Sequence, residues 1–389
     1  MSFKNIKKIL VIKLRQIGDV LLTVPAFRAL RENFPEAHIA ALVNSGTEEV
    51  LGGSPLIDEV ITYNRGINKL NPWQRSRREI AFVRELRKQR FDLAIDLSGG
   101  DRAAITAFLS GARYRIGTNV SRYGFWGKSR LYTHFANGGG KHIVLRDHDV
   151  MAQFGIHASN LSVDFFIPPA ARRQVEQWFR LRNNEKDLVV HIHPVSKWFF
   201  KCWKDEDMAE VAGWLINQGV KVVVTSSPES LELQRTRNML SLIPGTAAAH
   251  SHLLDLSGQT TLPLLAAVSE AADLFLGIDS APMHISAAVG TPVIALFGPS
   301  LTHRWAPWPN QRLFESKIDL RHYYRDGCYY LGDHVVIQKD WECVPCGRDG
   351  CEGTKQSRCL DEISVEKVKE ILMTRMKKKI EDEINQPSP

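Results

Sequence analysis

The chain has 389 residues, 44% of them hydrophobic, with a net charge of +7 and a pI near 9.0. This length predicts two domains rather than one, and the ordinary apolar fraction excludes a largely disordered chain. No run approaches the ~20 apolar residues of a membrane span, and Lys13 and Arg15 interrupt the N-terminal apolar run too early for a signal peptide, so we expect a cytoplasmic protein. The net positive charge is typical of proteins that bind nucleic acid, an anionic membrane surface or a phosphorylated substrate. It is equally typical of a protein whose basic surface is simply solvated.

Strand and helix patterns alternate through the first 168 residues. A helical pattern follows Gly18, with Pro25 placed to bend it, and a basic helix precedes the fourth strand. The alternation predicts a parallel sheet with helices on its faces. The predicted strands are Lys7–Leu14, His38–Asn44, Asp58–Asn64 and Phe91–Gly99.

The pattern breaks at Pro168 and Pro169 and then restarts with a second series of strands and helices. We therefore predict an α/β protein with one Rossmann-like domain at 1–168 and a second at 169–361 that includes a cysteine cluster. A C-terminal helix at 362–389 could pack back on the first domain. Ligands of such domains bind at the carboxyl ends of the parallel strands, here in a cleft between the two.

Two common nucleotide-binding patterns are absent from the chain. Neither G-x-G-x-x-G nor G-x-x-x-x-G-K-[ST] occurs. A dinucleotide-dependent oxidoreductase and a P-loop NTPase are both disfavoured.

Asp19 comes directly after the first strand, where Gly18 allows a tight turn. An Asp at this place is commonly a helix N-cap, which contributes ~1 kcal/mol. It is also placed to accept a proton from a substrate hydroxyl at the ligand-binding edge of the sheet. The spacing alone favours the N-cap.

The segment "HIHPVSKWFFKCWKDED" follows the strand that opens the second domain. Ser196, Lys197 and Lys201 supply a hydroxyl and two ammonium groups, which suit a diphosphate. We expect the aromatic run 198–200 to lie in the core rather than to form a hydrophobic rim. His191 is predicted to be structural, whereas the position of His193 leaves both a structural and a functional role open.

The stretch "GIDSAPMHISAAVGTPVIALFGPS" reads as a strand, a polar turn, a short helix and another strand. The helix is expected to begin near Ala281 or Pro282, so that its N-terminal amide groups face an anion. Ser280 adds a hydroxyl, and Asp279 either caps the helix or binds a sugar hydroxyl. His284, one turn into the helix, is predicted to face the same ligand.

Four cysteines, Cys343, Cys346, Cys351 and Cys359, form a C-x2-C-x4-C-x7-C cluster. Such thiols suit tetrahedral zinc, although the last gap differs from a standard zinc knuckle. Labile disulfides are a second possibility. We favour reduced cysteines that pack a loop beside the second domain.

Several separate motifs, in order along the chain, carry a family resemblance. They are "ILVIKLRQIGDVLLTVPAFRALRENFPEAHIAALV", "HPVSKWFFKCWKDEDMAEVA", "GIDSAPMHISAAVGTPVIALFGPS" and "CVPCGRDGCEGTKQSRCL". Together they resemble the lipopolysaccharide heptosyltransferases, the ADP-heptose family of GT-B glycosyltransferases. "SKWFFKCW" and the four-cysteine tail are most similar to the heptosyltransferase III branch.

The resemblance implies a GT-B architecture and transfer of heptose from ADP-heptose, with inversion and with neither metal nor cofactor. The acceptor would be the inner-core heptose of the lipid A–core oligosaccharide, bound by the first domain at the inner leaflet of the inner membrane. The donor would bind to the second domain, and closure of the domains would exclude water. Nucleic acid would not be a partner.

The resemblance also assigns roles to individual residues. Asp19 matches the proposed catalytic base, Lys201 the lysine that binds the diphosphate, and Asp279 the aspartate that binds the donor sugar. Ser280, Ala281 and His284 fall in the diphosphate and sugar loop, with Ala281 in place of a glycine found in many members. Ser196 and Lys197 lie in the same predicted donor region.

Two other functions fit parts of the sequence. A nucleotide-sugar 2-epimerase with the same fold would need acid and base groups around the donor sugar and no membrane-linked acceptor. A binding module with zinc at the cysteines would bind nucleic acid in a salt-dependent way. The basic first domain disfavours the epimerase, and the lack of an aromatic–basic nucleic-acid motif disfavours the binding module.

Overall fold

The computed structural model describes residues 3–118, 125, 127–137, 142–180, 188–244, 251–310 and 327–385. The chain divides into two compact units, Met1–Phe166 and Ile167–Pro389. The boundary lies two residues before the one predicted from the Pro168–Pro169 pair. Within the described part of the chain, no helix is both long and apolar enough to cross a bilayer.

A parallel sheet of six strands forms the centre of the first unit. Its strands are β1 (Lys8–Lys13), β2 (His38–Asn44), β3 (Glu59–Tyr63), β4 (Leu93–Asp96), β5 (Tyr114–Thr118) and β6 (His134–Ala136). The spatial order is β3-β2-β1-β4-β5-β6. The four predicted strands are confirmed. They could be predicted because helices cover both faces of such a sheet, which makes its inner strands continuous apolar runs. The short β5 and β6 carry no such run and were not predicted.

The helices of the first unit differ from the prediction at one place. They are α1 (Ile17–Leu21), α2 (Val24–Asn33), α3 (Pro72–Lys88), α4 (Asp101–Leu109) and α5 (Ile143–Ala152). The predicted bent helix is two helices, α1 and α2. The predicted tight turn at Gly18 is wrong, because Gly18 is a buried residue within α1. Pro25 is the second residue of α2 and does not bend a longer helix, because a proline in the first turn has no amide hydrogen bond to lose.

The second unit is built on a seven-stranded sheet in the order β12-β13-β11-β10-β7-β8-β9. Its strands are β7 (Val189–His193), β8 (Lys221–Val224), β9 (Leu253–Asp255), β10 (Leu274–Ile278), β11 (Val293–Phe297), β12 (Cys328–Leu331) and β13 (His334–Gln338). The edge strand β12 pairs antiparallel with β13. This hairpin, which turns at Gly332 with a φ of +61°, was not predicted.

The C-terminal helix belongs to the second unit. The helices of this unit are α6 (Pro169–Arg180), α7 (Asp205–Asn217), α8 (Ser230–Ser241), α9 (Leu262–Glu270), α10 (Ala281–Ala288), α11 (Thr302–Trp305), α12 (Arg358–Asp361) and α13 (Val365–Asn385). Val368 and Leu372 of α13 are buried in the same core as α7, and Lys369 binds Glu210 of α7 at 2.7 Å. Packing of α13 on the first unit remains a prediction.

Each sheet has one topological switch point, where successive strands stop being added on one side of the first strand and begin to be added on the other. In the first unit this switch lies between the neighbours β1 and β4, and in the second between β7 and β10. Ligands of open α/β sheets bind beside such a switch, outside the carboxyl ends of the strands. Asp19 follows β1, Lys201 follows β7 and Asp279 follows β10, so all three lie beside a switch point.

Candidate active site

The second unit brings Lys201 and Asp279 together, although 78 residues separate them in sequence. Lys201 ends the 3₁₀ turn Phe199–Lys201 after β7, and Asp279 directly follows β10, the neighbour of β7. The Lys201 Nζ lies 2.5 Å from an Asp279 carboxylate oxygen, with the carboxylate buried and the ammonium partly exposed. The two residues form an ion pair at the predicted ligand-binding edge.

The N-terminus of α10 lies directly after Asp279. Ser280 is the N-cap residue, but its hydroxyl donates back to the Ile278 carbonyl at 3.3 Å and does not cap the helix. The amide groups of the first turn therefore stay available to an anion, and Ser280 and Ala281 are both partly exposed. Ala281 is the first helical residue, a conformation that accepts a Cβ, so the departure from glycine does not disturb this turn.

His284 is buried beside the ion pair, one turn into α10. Burial lowers the pKa of His284 to about 4, the Asp279 carboxylate opposes this shift, and the Lys201 ammonium adds to it. The ring is therefore neutral near pH 7. Its Nδ1 is buried and has no hydrogen-bond partner among the described residues. Because buried polar groups normally have a partner, we expect this atom to meet a bound ligand or water.

Protonation of His284 is expected to couple stability to pH. Its pKa is about 4 in the folded state against a usual 6.5, so the unfolded state binds more protons between these values. The contribution of the neutral ring is fully present above pH 6.5 and is lost as the pH falls through that window. We expect His284→Gln to reduce the drop in melting temperature between about pH 7 and pH 4.5, measured by calorimetry. His252→Gln, at a half-buried histidine of the same unit, is the control, and an equally steep drop in His284→Gln would contradict the assignment.

Ser196 and Lys197 make local contacts within their loop. The Ser196 hydroxyl accepts the Trp198 amide hydrogen at 3.1 Å, and the Ser196 amide donates to the Cys202 sulfur at 3.3 Å. The Lys197 ammonium lies 5.8 Å from the centre of the Trp198 ring. No contact within the described residues joins either side chain to Asp279, so their predicted roles as donor ligands stay predictions.

The prediction that the aromatic run 198–200 lies in the core is wrong for two of its three residues. Phe200 is buried, but Trp198 is 48% exposed and Phe199 is 37% exposed. The 3₁₀ turn that places Lys201 at the sheet edge also turns these rings outward. They form an apolar rim next to Lys201, the less favoured of the two roles predicted for them.

The two histidines of β7 are both structural in this unit. His191 is buried and hydrogen-bonded to the hydroxyls of Ser269 and Thr225, at 2.9 and 2.7 Å. His193 is also buried and bonds the same Thr225 hydroxyl at 2.9 Å. The structural prediction for His191 is confirmed. His193, for which two roles were left open, has the same kind of buried, hydrogen-bonded environment, which indicates a structural role.

The four clustered cysteines are free thiols. Cys359 is buried, and burial raises its pKa to about 11, with further increases from the nearby Cys351, Cys346 and Cys343. The loop thus brings all four thiols into one neighbourhood. In the described ranges, no group of three or more His, Cys, Asp or Glu side chains is arranged to hold a metal ion.

The cysteine loop packs against the turn that carries Lys201 and against the end of β11. The Ser357 hydroxyl donates to the Phe200 carbonyl at 2.6 Å, next to Lys201. The Gly347 amide donates to the Pro299 carbonyl, just beyond β11, at 2.7 Å. The loop therefore supports the turn that carries Lys201, consistent with the favoured prediction of a loop beside the second domain.

In the first unit, Asp19 lies in the first turn of α1, and Gln16 occupies the N-cap position. The N-cap interpretation of Asp19 is therefore wrong. The carboxylate is half-buried, and the Thr23 hydroxyl donates to the Asp19 carbonyl at 2.8 Å, which holds the backbone of this turn. A partly exposed carboxylate beside a switch point suits proton transfer.

A buried group of charges lies close to Asp19. Lys13 of β1 is buried and forms an ion pair with Asp147 of α5, which also binds Arg146 at 2.6 Å. Burial lowers the pKa of Lys13, while the Asp147 and Asp19 carboxylates oppose that shift. This group was not predicted, although a lysine in an otherwise buried strand already requires a buried partner.

A cavity of about 220 Å³ lies at the carboxyl ends of the first unit's strands, and Arg15, Arg65 and Arg102 contribute to its wall. The Arg15 guanidinium is held by the Ser98 carbonyl at 2.6 Å, across the β1–β4 switch point. Arg102 is held by Glu79 at 2.7 Å. This cationic cavity was not predicted, since its arginines come from three separate places in the sequence: the loop after β1, the 3₁₀ turn after β3 and the first turn of α4.

The sequence profile of glycosyltransferase family 9 (heptosyltransferase) matches residues 79–323. The chain belongs to this family. It is 31% identical over 302 residues to lipopolysaccharide heptosyltransferase 3 of Escherichia coli strain K12. The aligned region covers 76% of this chain and 83% of the relative. The chain is therefore a glycosyltransferase enzyme, and the alternatives of an epimerase and of a zinc-containing binding module are set aside.

Solved structures of the family share the fold. A family 9 glycosyltransferase from Veillonella parvula superimposes with a TM-score of 0.74 and 21% identity, covering 96% of this chain and 97% of that one. The Escherichia coli ADP-heptose lipopolysaccharide heptosyltransferase II gives a TM-score of 0.70 at 20% identity. The superposition covers 97% of this chain and 99% of that one. The predicted GT-B class with two Rossmann-like units is confirmed.

Proposed function

We propose that this family 9 enzyme transfers heptose from ADP-heptose to an inner-core heptose of lipopolysaccharide, with inversion and without a metal. The observation that carries the proposal is the arrangement of Lys201, Asp279 and His284 beside the N-terminus of α10, at the switch point of the second unit. A cation, a row of free amides and a carboxylate suit a sugar joined to a diphosphate.

In the proposal, the Lys201–Asp279 ion pair separates when the donor binds, so that the lysine binds the diphosphate and the aspartate binds the sugar. Each charge neutralises the other while the site holds no donor. A diphosphate competes with Asp279 for the Lys201 ammonium and leaves that carboxylate free to accept hydrogen bonds from the sugar hydroxyls. The unpaired Nδ1 of His284 offers a further hydrogen bond to the same ligand. Ser280 and Ala281 bring the α10 amides to the diphosphate.

The proposed reaction breaks the bond between the anomeric carbon and the ADP oxygen and forms a bond from the acceptor oxygen on the opposite face. Asp19 accepts the proton of the acceptor hydroxyl. Negative charge develops on the departing diphosphate, and stabilising it is the main task in such a transfer. Lys201 and the α10 amides perform this task with the protein's own groups.

The first unit supplies the proposed acceptor site. Its cavity lined by Arg15, Arg65 and Arg102 suits the anionic groups of a lipid A–core oligosaccharide. Since that acceptor is anchored by its lipid, we propose that the enzyme works at the cytoplasmic face of the inner membrane. Nucleic acid and cofactors have no part in the proposal.

The test is incubation of the full chain with ADP-heptose and a set of truncated core acceptors, followed by mass spectrometry. We expect a gain of one heptose on an acceptor that ends in inner-core heptose, with inverted anomeric configuration by NMR and unchanged rate in the presence of a chelator. A gain on no acceptor would overturn the proposal. Isomerised ADP-heptose without acceptor would point to epimerase activity.

A further inference from the structure

The basic helix α3 has one buried face and one open face. Leu86 is buried in the core of the first unit and Phe82 packs partly against it. On the opposite side, Trp73, Ile80 and their neighbours line an open groove of about 540 Å³. The open face is therefore a surface of the folded unit, already formed before any partner arrives.

Two large apolar side chains stand on that open face. Trp73 is 70% exposed and Ile80 is 56% exposed. They are seven residues apart, which places them on the same side of the helix, with Arg77 and Arg84 in the same stripe. A single exposed apolar residue is ordinary, but an aromatic and an aliphatic side chain in line with cations form a patterned surface.

The charge of α3 is strongly positive. Both of its acids have cationic partners, because Glu79 binds Arg102 and Glu85 binds Lys88, each at 2.7 Å. The turn before the helix, Arg65–Lys69, adds two more cations. The cations of the helix itself are Arg75, Arg77, Arg78, Arg84, Arg87 and Lys88.

We propose that this face, consisting of Trp73, Arg77, Ile80, Arg84 and Lys88, docks the enzyme on an anionic lipid bilayer. Tryptophan is favoured at the boundary between headgroups and acyl chains, and isoleucine gains by leaving water. Each Lys or Arg near an anionic bilayer adds electrostatic attraction. An interfacial helix combines these features, with cations beside an apolar strip.

The apolar pair distinguishes a bilayer from nucleic acid as the occupant. Binding to a phosphate backbone is driven mainly by cations and needs no exposed apolar pair, whereas Trp73 and Ile80 gain most from insertion into lipid. The inference extends the proposed function by naming the surface that meets the membrane. The purpose of membrane docking rests on the proposed function, in which the acceptor is linked to a lipid. The docking itself can be tested without the donor or the acceptor.

The experiment measures sedimentation of the full chain with phosphatidylcholine vesicles, with and without phosphatidylglycerol. We expect Trp73→Ala/Ile80→Ser to reduce partition into the anionic vesicles on the order of tenfold or more. Arg77→Gln/Arg84→Gln is expected to reduce both the preference for anionic lipid and the salt dependence of binding. Leu231→Ser, at a 65% exposed leucine of the second unit, is the matched control and should bind like the wild type.

Three outcomes would overturn the inference. They are unchanged vesicle binding in the Trp73→Ala/Ile80→Ser variant, an equal loss in the Leu231→Ser control, and binding of the wild type to duplex DNA but not to anionic vesicles at the same salt concentration. Heptose transfer to a deacylated, water-soluble core acceptor should be the same in the Trp73→Ala/Ile80→Ser variant as in the wild type. If the wild type transfers no heptose but still binds vesicles through this face, the proposed function fails and the docking surface stands.

Discussion

Asp19→Asn is expected to lower kcat for heptose transfer by ~10²–10⁴-fold, the usual contribution of a general base. The amide has the same shape as the carboxylate but cannot take up the proton of the acceptor hydroxyl. Asp19 is half-buried in the first turn of α1 and is not the N-cap of that helix, so the substitution should leave the fold intact. ADP binding, measured by calorimetry, should match the wild type because the proposed donor-binding residues lie on the second unit.

The control for Asp19 is Asp149→Asn, at a half-buried carboxylate on α5 of the same unit. It should keep kcat near the wild-type value. The pH–rate profile adds a second readout, since the limb that reports the base should disappear only in Asp19→Asn. Normal transfer by Asp19→Asn would show that a different group accepts the proton.

Lys201→Met is expected to lower kcat/KM by ~10²–10³-fold, the loss typical for removing one donor from a site of developing charge. The ammonium is the charged group at the proposed diphosphate site, and methionine keeps the length of the side chain without the charge. The affinity for ADP should fall as well, because ADP retains the diphosphate. Steady-state kinetics and calorimetry measure the two effects.

Two further variants make the lysine test specific. Lys204→Met removes a lysine three residues along the same loop, 3.7 Å from Asp207, and should change kcat/KM little. Lys201→Arg keeps a cation and should recover part of the lost rate. Because Lys201→Met leaves the buried Asp279 without its partner, the melting temperature must be compared as well. A kcat/KM close to the wild type in a folded Lys201→Met would exclude Lys201 from the diphosphate site.

Much of the fold and part of the candidate site were predictable from local sequence. Strands such as β2 and β10 are read easily because a parallel strand covered on both faces must be apolar along its whole length. The start of α10 was predictable because Pro282 suits the first helical turn. The edge hairpin of β12 and β13 and the short β6 were not, since pairing with a neighbour rather than a local pattern defines them.

The sequence by itself determined the two-unit α/β class, the family, and the motifs that carry Asp19, Lys201 and Asp279. Only the tertiary structure decided that Lys201 and Asp279 form an ion pair, that Lys13 meets Asp147, and that Gln16 rather than Asp19 caps α1. It also decided which apolar side chains stay exposed. The reason is physical: periodicity shows that a residue lies on one face of an element, but sheet order and helix packing determine what covers that face.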